Sequence, residues 1–511
     1  MKLLFIFILG WISCMLNAND LVAQSTKRPN IILIVSDDHA YQAISAYNSK
    51  WLSTPNIDRI GRQGAIMDRA YVTNSVCSPS RAVIITGKYS HQNGLVDNGT
   101  FFDSSQQTFP KILQAAGYRT AVIGKWHLWS EPTGFDYWNV LPDQGHYYNP
   151  GFIKMGKDTT YKGYVSDVIT DLSLDWIEQN RKSPFCLLLF HKAPHRNWMP
   201  PLRYLDRFSD KTFELPANFS DDYKDRIALQ RQQISISREL DIRYDSKVPC
   251  DSCPVTPVNS WAPAEWKREI ERLTPEERRV WDEAYQTRIR KFHSIKTNDQ
   301  RIRFQYQSLM QDYLRCVQSV DDNVGRVLDY LDQQGLADNT VVIYMSDQGF
   351  YLGEHGLYDK RFMYEESFRT PMLIRYPKKV RSAQRNNSYV LNLDIAPTLL
   401  DWAGLKVPSD MQGVSMKTLL SGKQDRSWRK EIYYHYYERS FGLTPHYGIK
   451  TDRYKLIHFY GPIDSWELYD LKVDPAEMRN LANDPEYQQK VKDLRQRLNY
   501  WKKYYRDPVQ Y

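Results

Sequence analysis

The chain has few cysteines, no polybasic block and, after its first dozen residues, no apolar run long enough to cross a bilayer. Each absence excludes something. Six cysteines lie scattered over 511 residues. Cys250 and Cys253 form one C-x-x-C, but no second ligand pair follows at zinc-site spacing. Lys and Arg number 68 against 60 Asp and Glu, a net charge of +8. The two signs are interspersed, which argues against nucleic acid as the main partner. No later stretch approaches the roughly 20 apolar residues of a membrane helix. Repeats and low-complexity tracts are missing too. What remains is a 42% hydrophobic, 25% charged composition, that of a folded protein with a large core.

The amino terminus reads as a targeting segment. Lys2 is followed by a short apolar run over residues 3–12 and then by small and polar residues. This pattern predicts a secretory signal peptide over residues 1–23, cleaved after Ala23, and an exported, periplasmic protein. Cys14 offers a second reading, lipid attachment, although Trp11-Ile12-Ser13-Cys14 matches a lipoprotein box poorly. Export favours a local disulfide between Cys250 and Cys253 over a metal knuckle. Cys186 and Cys316 sit in apolar or helical runs and read as buried, inert thiols. Cys77 differs, because its neighbours are Ser and Pro.

Four apolar runs end abruptly in chemically capable residues. Residues 31–35 lead into Ser36-Asp37-Asp38-His39, and residues 120–123 into Gly124-Lys125-Trp126-His127. Residues 186–190 lead into His191-Lys192-Ala193-Pro194-His195, and residues 341–345 into Ser346-Asp347-Gln348-Gly349. Such runs suit strands buried on both faces of a parallel sheet. Helix-like segments over residues 109–116 and 165–180 separate them, and residues 307–334 read as one long helix. The alternation predicts an α/β catalytic domain over residues 28–404 with a large, mostly parallel sheet between helices. Residues 218–298 read as a helical insertion without site motifs. Residues 405–511 read as a smaller subdomain of antiparallel strands and a terminal helix. Ligands of such sheets bind beyond the carboxyl ends of the strands, where all four polar groups fall.

Asp37 and Asp38 would point to opposite faces within a strand, so both reach one ion only past its end. With Asp347 and Gln348 they make an oxygen-only donor set suited to Ca²⁺ or Mg²⁺; helix caps or turns are the competing reading. In Cys77-Ser78-Pro79-Ser80-Arg81, Pro79 suits a first helical turn and Gly87 can end the helix. Cys77 and Arg81 then share a face, and the helix amino terminus favours an anion beside the cysteine. A capped helix with a buried cysteine would explain the pentapeptide alone.

The run Cys77 to Arg81, extended through Thr86-Gly87, resembles the C-x-P-x-R signature of the formylglycine-dependent sulfatases. The four strand-end groups, Lys360, and the closing Glu467-Leu468-Tyr469-Asp470-Leu471 occur in that family's order. The resemblance covers roughly residues 28 to 505. It implies an alkaline-phosphatase-like fold, conversion of Cys77 to formylglycine by a modifying enzyme, and a Ca²⁺ held by Asp37, Asp38, Asp347 and Gln348. The aldehyde hydrate would attack sulfur. Arg81 would stabilise the hydrate, and Lys125 and Lys360 would clamp the sulfate. His195 would protonate the leaving sugar oxygen, and His127 would help release sulfate. Many family members have Asn where Gln348 stands, which makes it the least typical ligand.

Three segments, Phe135 to Trp138, Ala193 to Trp198 and Gly353 to Arg361, look similar to bacterial sulfatases that remove 6-O-sulfate from N-acetylglucosamine in glycosaminoglycans or mucins. Asp359 and Arg361 flank Lys360 and make a candidate carboxylate–guanidinium pair for sugar hydroxyls, and His446 is a candidate to reach the sugar from the carboxyl-terminal subdomain; a structural Asp359–Arg361 pair and a surface turn at His446 are the competing readings. A phosphodiesterase or phosphonate monoester hydrolase on the same scaffold competes for the function. So does an inactive glycan-binding protein, against which the intact set of catalytic residue types argues.

Overall fold

The computed structural model describes residues 28–423 and 425–508. The signal-peptide segment and Cys14 lie outside the described residues. Ten strands form the main sheet. Its centre is five parallel strands in the order Thr340–Ser346, Asn30–Ser36, Phe185–Phe190, Arg119–Lys125, Tyr137–Leu141. Met372–Arg375 flanks one side and Gly151–Lys154 the other, both antiparallel to their neighbours.

The continuous apolar runs are explained by two cores. Ile32 and Ile34 pack into one, with residues of the helices Val165–Asn180 and Asn298–Gln333. Ile31, Leu33 and Val35 pack into the other, with Ala82, Ile84 and Ile85 of the helix Cys77–Thr86 and Leu399 and Leu400 of Ile395–Trp402. A strand whose alternate residues enter different cores must be apolar on both faces. The long helix begins nine residues earlier than residue 307, because Thr297 caps it with a capping box that includes Gln300.

A second, four-stranded antiparallel sheet runs Ile432–Tyr436, His446–Lys450, Tyr454–Phe459, Ser465–Asp470, and the helix Gln488–Tyr504 buries Val491, Leu494 and Leu498 against it. Residues beyond the predicted boundary at 405 also pack on the main sheet. Met411, Met416, Leu419, Leu420 and Trp428 all pack into the core of the main sheet. The insertion carries the helices Ala262–Glu271 and Pro275–His293, but most of residues 240–261 form irregular backbone. The Cys250–Cys253 disulfide is present there. Arg243 donates to the carbonyls of both half-cystines, at 2.9 and 3.0 Å.

Candidate active site

The sheet's register brings the carboxylates together. Ser36 and Ser346 are paired at the ends of adjacent strands, so Asp37 and Asp347 leave the sheet side by side. Asp38 turns out of the strand direction with φ 63°, which frees its carboxylate from the opposite-face constraint. Oxygen atoms of Asp37, Asp38 and Asp347 lie within 4.8 Å of one another, all buried. The Gln348 amide reaches Asp38, while its Oε1 is buried with no partner among the described residues.

Cys77 opens the helix Cys77–Thr86, which Gly87 ends in the left-handed region at φ 65°. The thiol lies 3.5 Å from Asp37 Oδ1. Arg81, one turn on and fully buried, donates from Nε and Nη2 to Asp347 Oδ2 at 3.0 and 2.8 Å. Lys125 ends its strand and donates to Asp37 and to Gln144 Oε1. Gly124 before it has φ 107°, and a Cβ there would stand 1.9 Å from the Phe190 carbonyl oxygen, so only glycine lets the Lys125 strand approach that closely. Lys360 donates to both oxygens of Asp38, at 2.6 and 2.8 Å.

The histidines complete the ring. His195 Nδ1 donates to the Arg196 carbonyl at 2.6 Å, which turns Nε2 toward Asp38 at 3.7 Å. His127 Nδ1 lies 3.2 Å from Ser78 Oγ and Nε2 lies 3.1 Å from the Gln144 amide nitrogen. Gln144 thus ties Lys125 to His127. Sequence reasoning missed it, because a glutamine in the turn after a strand carries no motif. Lys192, inside the quoted motif but given no role there, also faces the cavity and donates to the Gln144 carbonyl at 3.2 Å.

The electrostatics follow from burial among unlike charges. Burial opposes ionisation of Asp37, but Lys125, His195 and Arg81 outweigh it and hold the group well below the usual carboxylate range. Asp38 and Asp347 move up, to about 6 and about 7, because burial and the neighbouring carboxylates outweigh Lys360 and Arg81. A divalent cation would relieve that repulsion, and the unpartnered Gln348 oxygen supplies a fourth hard donor, so the residues fit Ca²⁺. Burial pushes the Cys77 thiol far up, despite Lys360 and Lys125. Burial, then Lys125, depress His195 well below its ordinary value. His127 falls to about 4 for the same two reasons.

A cavity of about 640 Å³ opens above this centre. Asp38, His195, Asp359, Lys360 and Arg361 line it, and the insertion closes one side with Tyr244, Trp261 and Glu269. The insertion therefore faces the site, which its sequence did not announce. Asp359 accepts from Arg361 Nε at 2.9 Å, and Arg361 reaches Ser440 at 3.0 Å and Glu438 at 3.1 Å. His446 is corrected: it does not line the cavity. It is fully buried at the start of a strand, opposite Tyr436, with ring centroids of Phe459 and Tyr436 4.8 and 5.1 Å away. Its position in the sheet, not in a surface turn, encloses it. The other twelve candidates converge.

The Sulfatase family model matches residues 29–405. The chain belongs to the sulfatase family. The model of the N-sulphoglucosamine sulphohydrolase carboxyl-terminal region matches residues 353–504. This sulfatase, a sulfuric ester hydrolase, is 47% identical over 494 residues to the N-acetylglucosamine-6-O-sulfatase of Bacteroides thetaiotaomicron, spanning 95% of this chain and 88% of that one. It is 28% identical over 451 residues to the human N-acetylglucosamine-6-sulfatase, spanning 83% and 70%. The solved structure of BT4656 with its substrate D-glucosamine-2-N,6-O-disulfate superposes with a TM-score of 0.90 at 46% identity, over 94% of this chain and 99% of that chain. The phosphonate monoester hydrolase of Agrobacterium radiobacter, at 18% identity and TM-score 0.69 over 94% and 96%, shares the fold. That fold is the alkaline-phosphatase-like one.

Proposed function

We propose that this sulfatase is exported to the periplasm, where it hydrolyses the 6-O-sulfate of N-acetylglucosamine or a related glucosamine in sulfated glycans. It would depend on a formylglycine formed at Cys77 by a modifying enzyme and on Ca²⁺ held by Asp37, Asp38, Asp347 and Gln348. The observation that carries the substrate is the Asp359–Arg361 pair set beside Lys360 in one cavity, in a chain 47% identical to an N-acetylglucosamine-6-O-sulfatase. A carboxylate and a guanidinium together can accept from and donate to adjacent sugar hydroxyls.

When present, the aldehyde hydrate supplies the nucleophile and the cation neutralises sulfate oxygens. An unmodified Cys77 is unsuited to that task, since a buried thiol of raised pKa stays protonated and poorly nucleophilic. The chain's own residues do the rest. Lys125 and Lys360 hold the sulfate oxygens as charge builds on them. Arg81 fixes Asp347 and places positive charge under the helix start. His195 directs Nε2 into the cavity, where it delivers a proton to the departing sugar oxygen. Its depressed pKa results from burial and surrounding cations, and an entering sulfate offsets the cations. His127, oriented by Ser78 and Gln144, is placed to move a proton at the Cys77 side.

The test is sulfate release from a panel of monosaccharides sulfated at different positions, with matched aryl sulfate and phosphate esters. Preferred turnover of 6-O-sulfo-N-acetylglucosamine is expected. Dominant phosphate release would instead favour a phosphoesterase on this fold.

A further inference from the structure

The cavity is larger than one sugar ring needs; at about 640 Å³ it falls within the roughly 300–1,000 Å³ of pockets for drug-sized ligands. Its insertion side carries features that the reaction does not use. Trp261 lines it and is 41% exposed, yet it is held in place. Its Nε1 donates to the Val258 carbonyl at 2.9 Å, its ring meets Tyr244 edge-on at 5.0 Å, and the Arg196 guanidinium lies 5.2 Å from it. An oriented, partly bare indole in a wet cavity is a ready face for a sugar ring. Beside it, ligand atoms of His146, Glu265 and Glu269 lie within 4.8 Å of one another. Glu269 is only 3% exposed; Oε1 lies 3.0 Å from His146 Nδ1, and Oε2 is buried with no partner among the described residues. A buried carboxylate oxygen left unpaired is costly unless something donates to it.

The charges on this edge cancel. Arg268 pairs with Glu265 at 2.8 Å, Arg196 pairs with Asp245 at 2.6 Å, and the Glu269 carboxylate acts electrostatically on the buried Lys192. An edge with many hydrogen-bonding groups, and with as many carboxylates as cations among those named, matches a neutral polyol, not an anionic ring. We propose that this side of the cavity is a second sugar subsite, which takes a neutral hexose linked to the sulfated glucosamine: Trp261 stacks on the ring and Glu269, with His146 and Glu265, takes its hydroxyls. The proposal rests on the glycan-sulfatase reading above.

Kinetics on three probes test it: 6-O-sulfo-N-acetylglucosamine alone, the same sugar joined at its anomeric carbon to galactose, and the same joined to glucuronic acid. The wild type should turn over the galactose disaccharide with a kcat/KM about tenfold above the monosaccharide, the scale of one stacking contact with hydrogen bonds. The gain should lie in KM and be absent for the glucuronic acid disaccharide. W261A, at a partly exposed position, and the isosteric E269Q should each erase the ratio between disaccharide and monosaccharide. Equal handling of galactose disaccharide and monosaccharide by the wild type overturns the subsite, as does a ratio that survives both substitutions. A preference for the glucuronic acid disaccharide overturns the neutral occupant. No sulfate release from any of the three would instead fail the substrate reading on which the proposal stands.

Discussion

The cavity has two unlike walls. Its floor comes from the ends of four adjacent strands, and every charged group there is buried against a partner, as Arg81 is against Asp347 and Lys360 against Asp38. Its far wall comes from the insertion, where Trp261 and the 70%-exposed side chain of Arg268 face solvent. A floor built this way fixes chemistry, because each side chain is oriented by another that cannot move without stranding a charge. A wall that sets the exposed Trp261 beside the buried Glu269 adjusts the fit of the substrate without touching the reacting atoms. The difference predicts that substitutions in the floor cost rate and stability together, whereas those in the wall cost only selectivity.

The largest effect belongs to C77A, which should lower kcat by about 10⁴-fold or more, the scale of losing a nucleophile, with substrate binding retained by calorimetry. K125A and K360A come next, at about 10²–10³-fold in kcat, as expected for losing one group that stabilises transition-state charge. H195A sharpens the comparison by leaving group. Sugar sulfates should lose about 10²-fold or more, while an activated aryl sulfate, whose leaving group needs no proton, is nearly spared. The same logic fixes the sign of the pH response. His195 must be protonated to act and its pKa is depressed, so kcat/KM for sugar sulfates falls as pH rises, while that for the aryl sulfate stays level. An equal loss on both substrates would remove His195 from the proton transfer.

Stability separates the walls more finely. R81A leaves Asp347 buried without its guanidinium and should cost about 3–5 kcal/mol in chemical denaturation. R268A, at an exposed pair, should fall within about 0.5 kcal/mol of the wild type. Comparable losses would mean the insertion is as integral as the floor. Chelation should likewise lower both activity and melting temperature, with Ca²⁺ restoring both, because it exposes the repulsion among Asp37, Asp38 and Asp347.

The floor was legible in sequence and the wall was not, for a physical reason. A strand buried on both faces must be apolar, so its end is visible as a sudden change to Asp37-Asp38 or Gly124-Lys125. The helix at Cys77 shows its start in Pro79 and its stop in Gly87. The helix Val165–Asn180 emerged with the same limits that its pattern gave. Nothing comparable marks Trp261 or Glu269, at the start of and within the helix Ala262–Glu271, whose placement depends on how the irregular backbone before it folds. Gln144 escaped for the same reason. His446 misled because Thr-Pro-His reads as a turn, whereas the next residues pair as a strand and draw the imidazole inside. The small sheet's antiparallel strands and the terminal helix were legible in the sequence. Residues 411–428, which precede that sheet, bury four apolar side chains and Trp428 in the larger core with no strand pattern to announce it.

The central claim is that the floor works through a modified Cys77. It is tested most directly by measuring, across preparations from hosts of differing modifying capacity, the fraction of peptides carrying an aldehyde at residue 77 against the specific rate of sulfate release from 6-O-sulfo-N-acetylglucosamine. The expected result is a rate proportional to the aldehyde fraction that extrapolates to zero with it. Full activity in a preparation whose Cys77 is entirely thiol would contradict it.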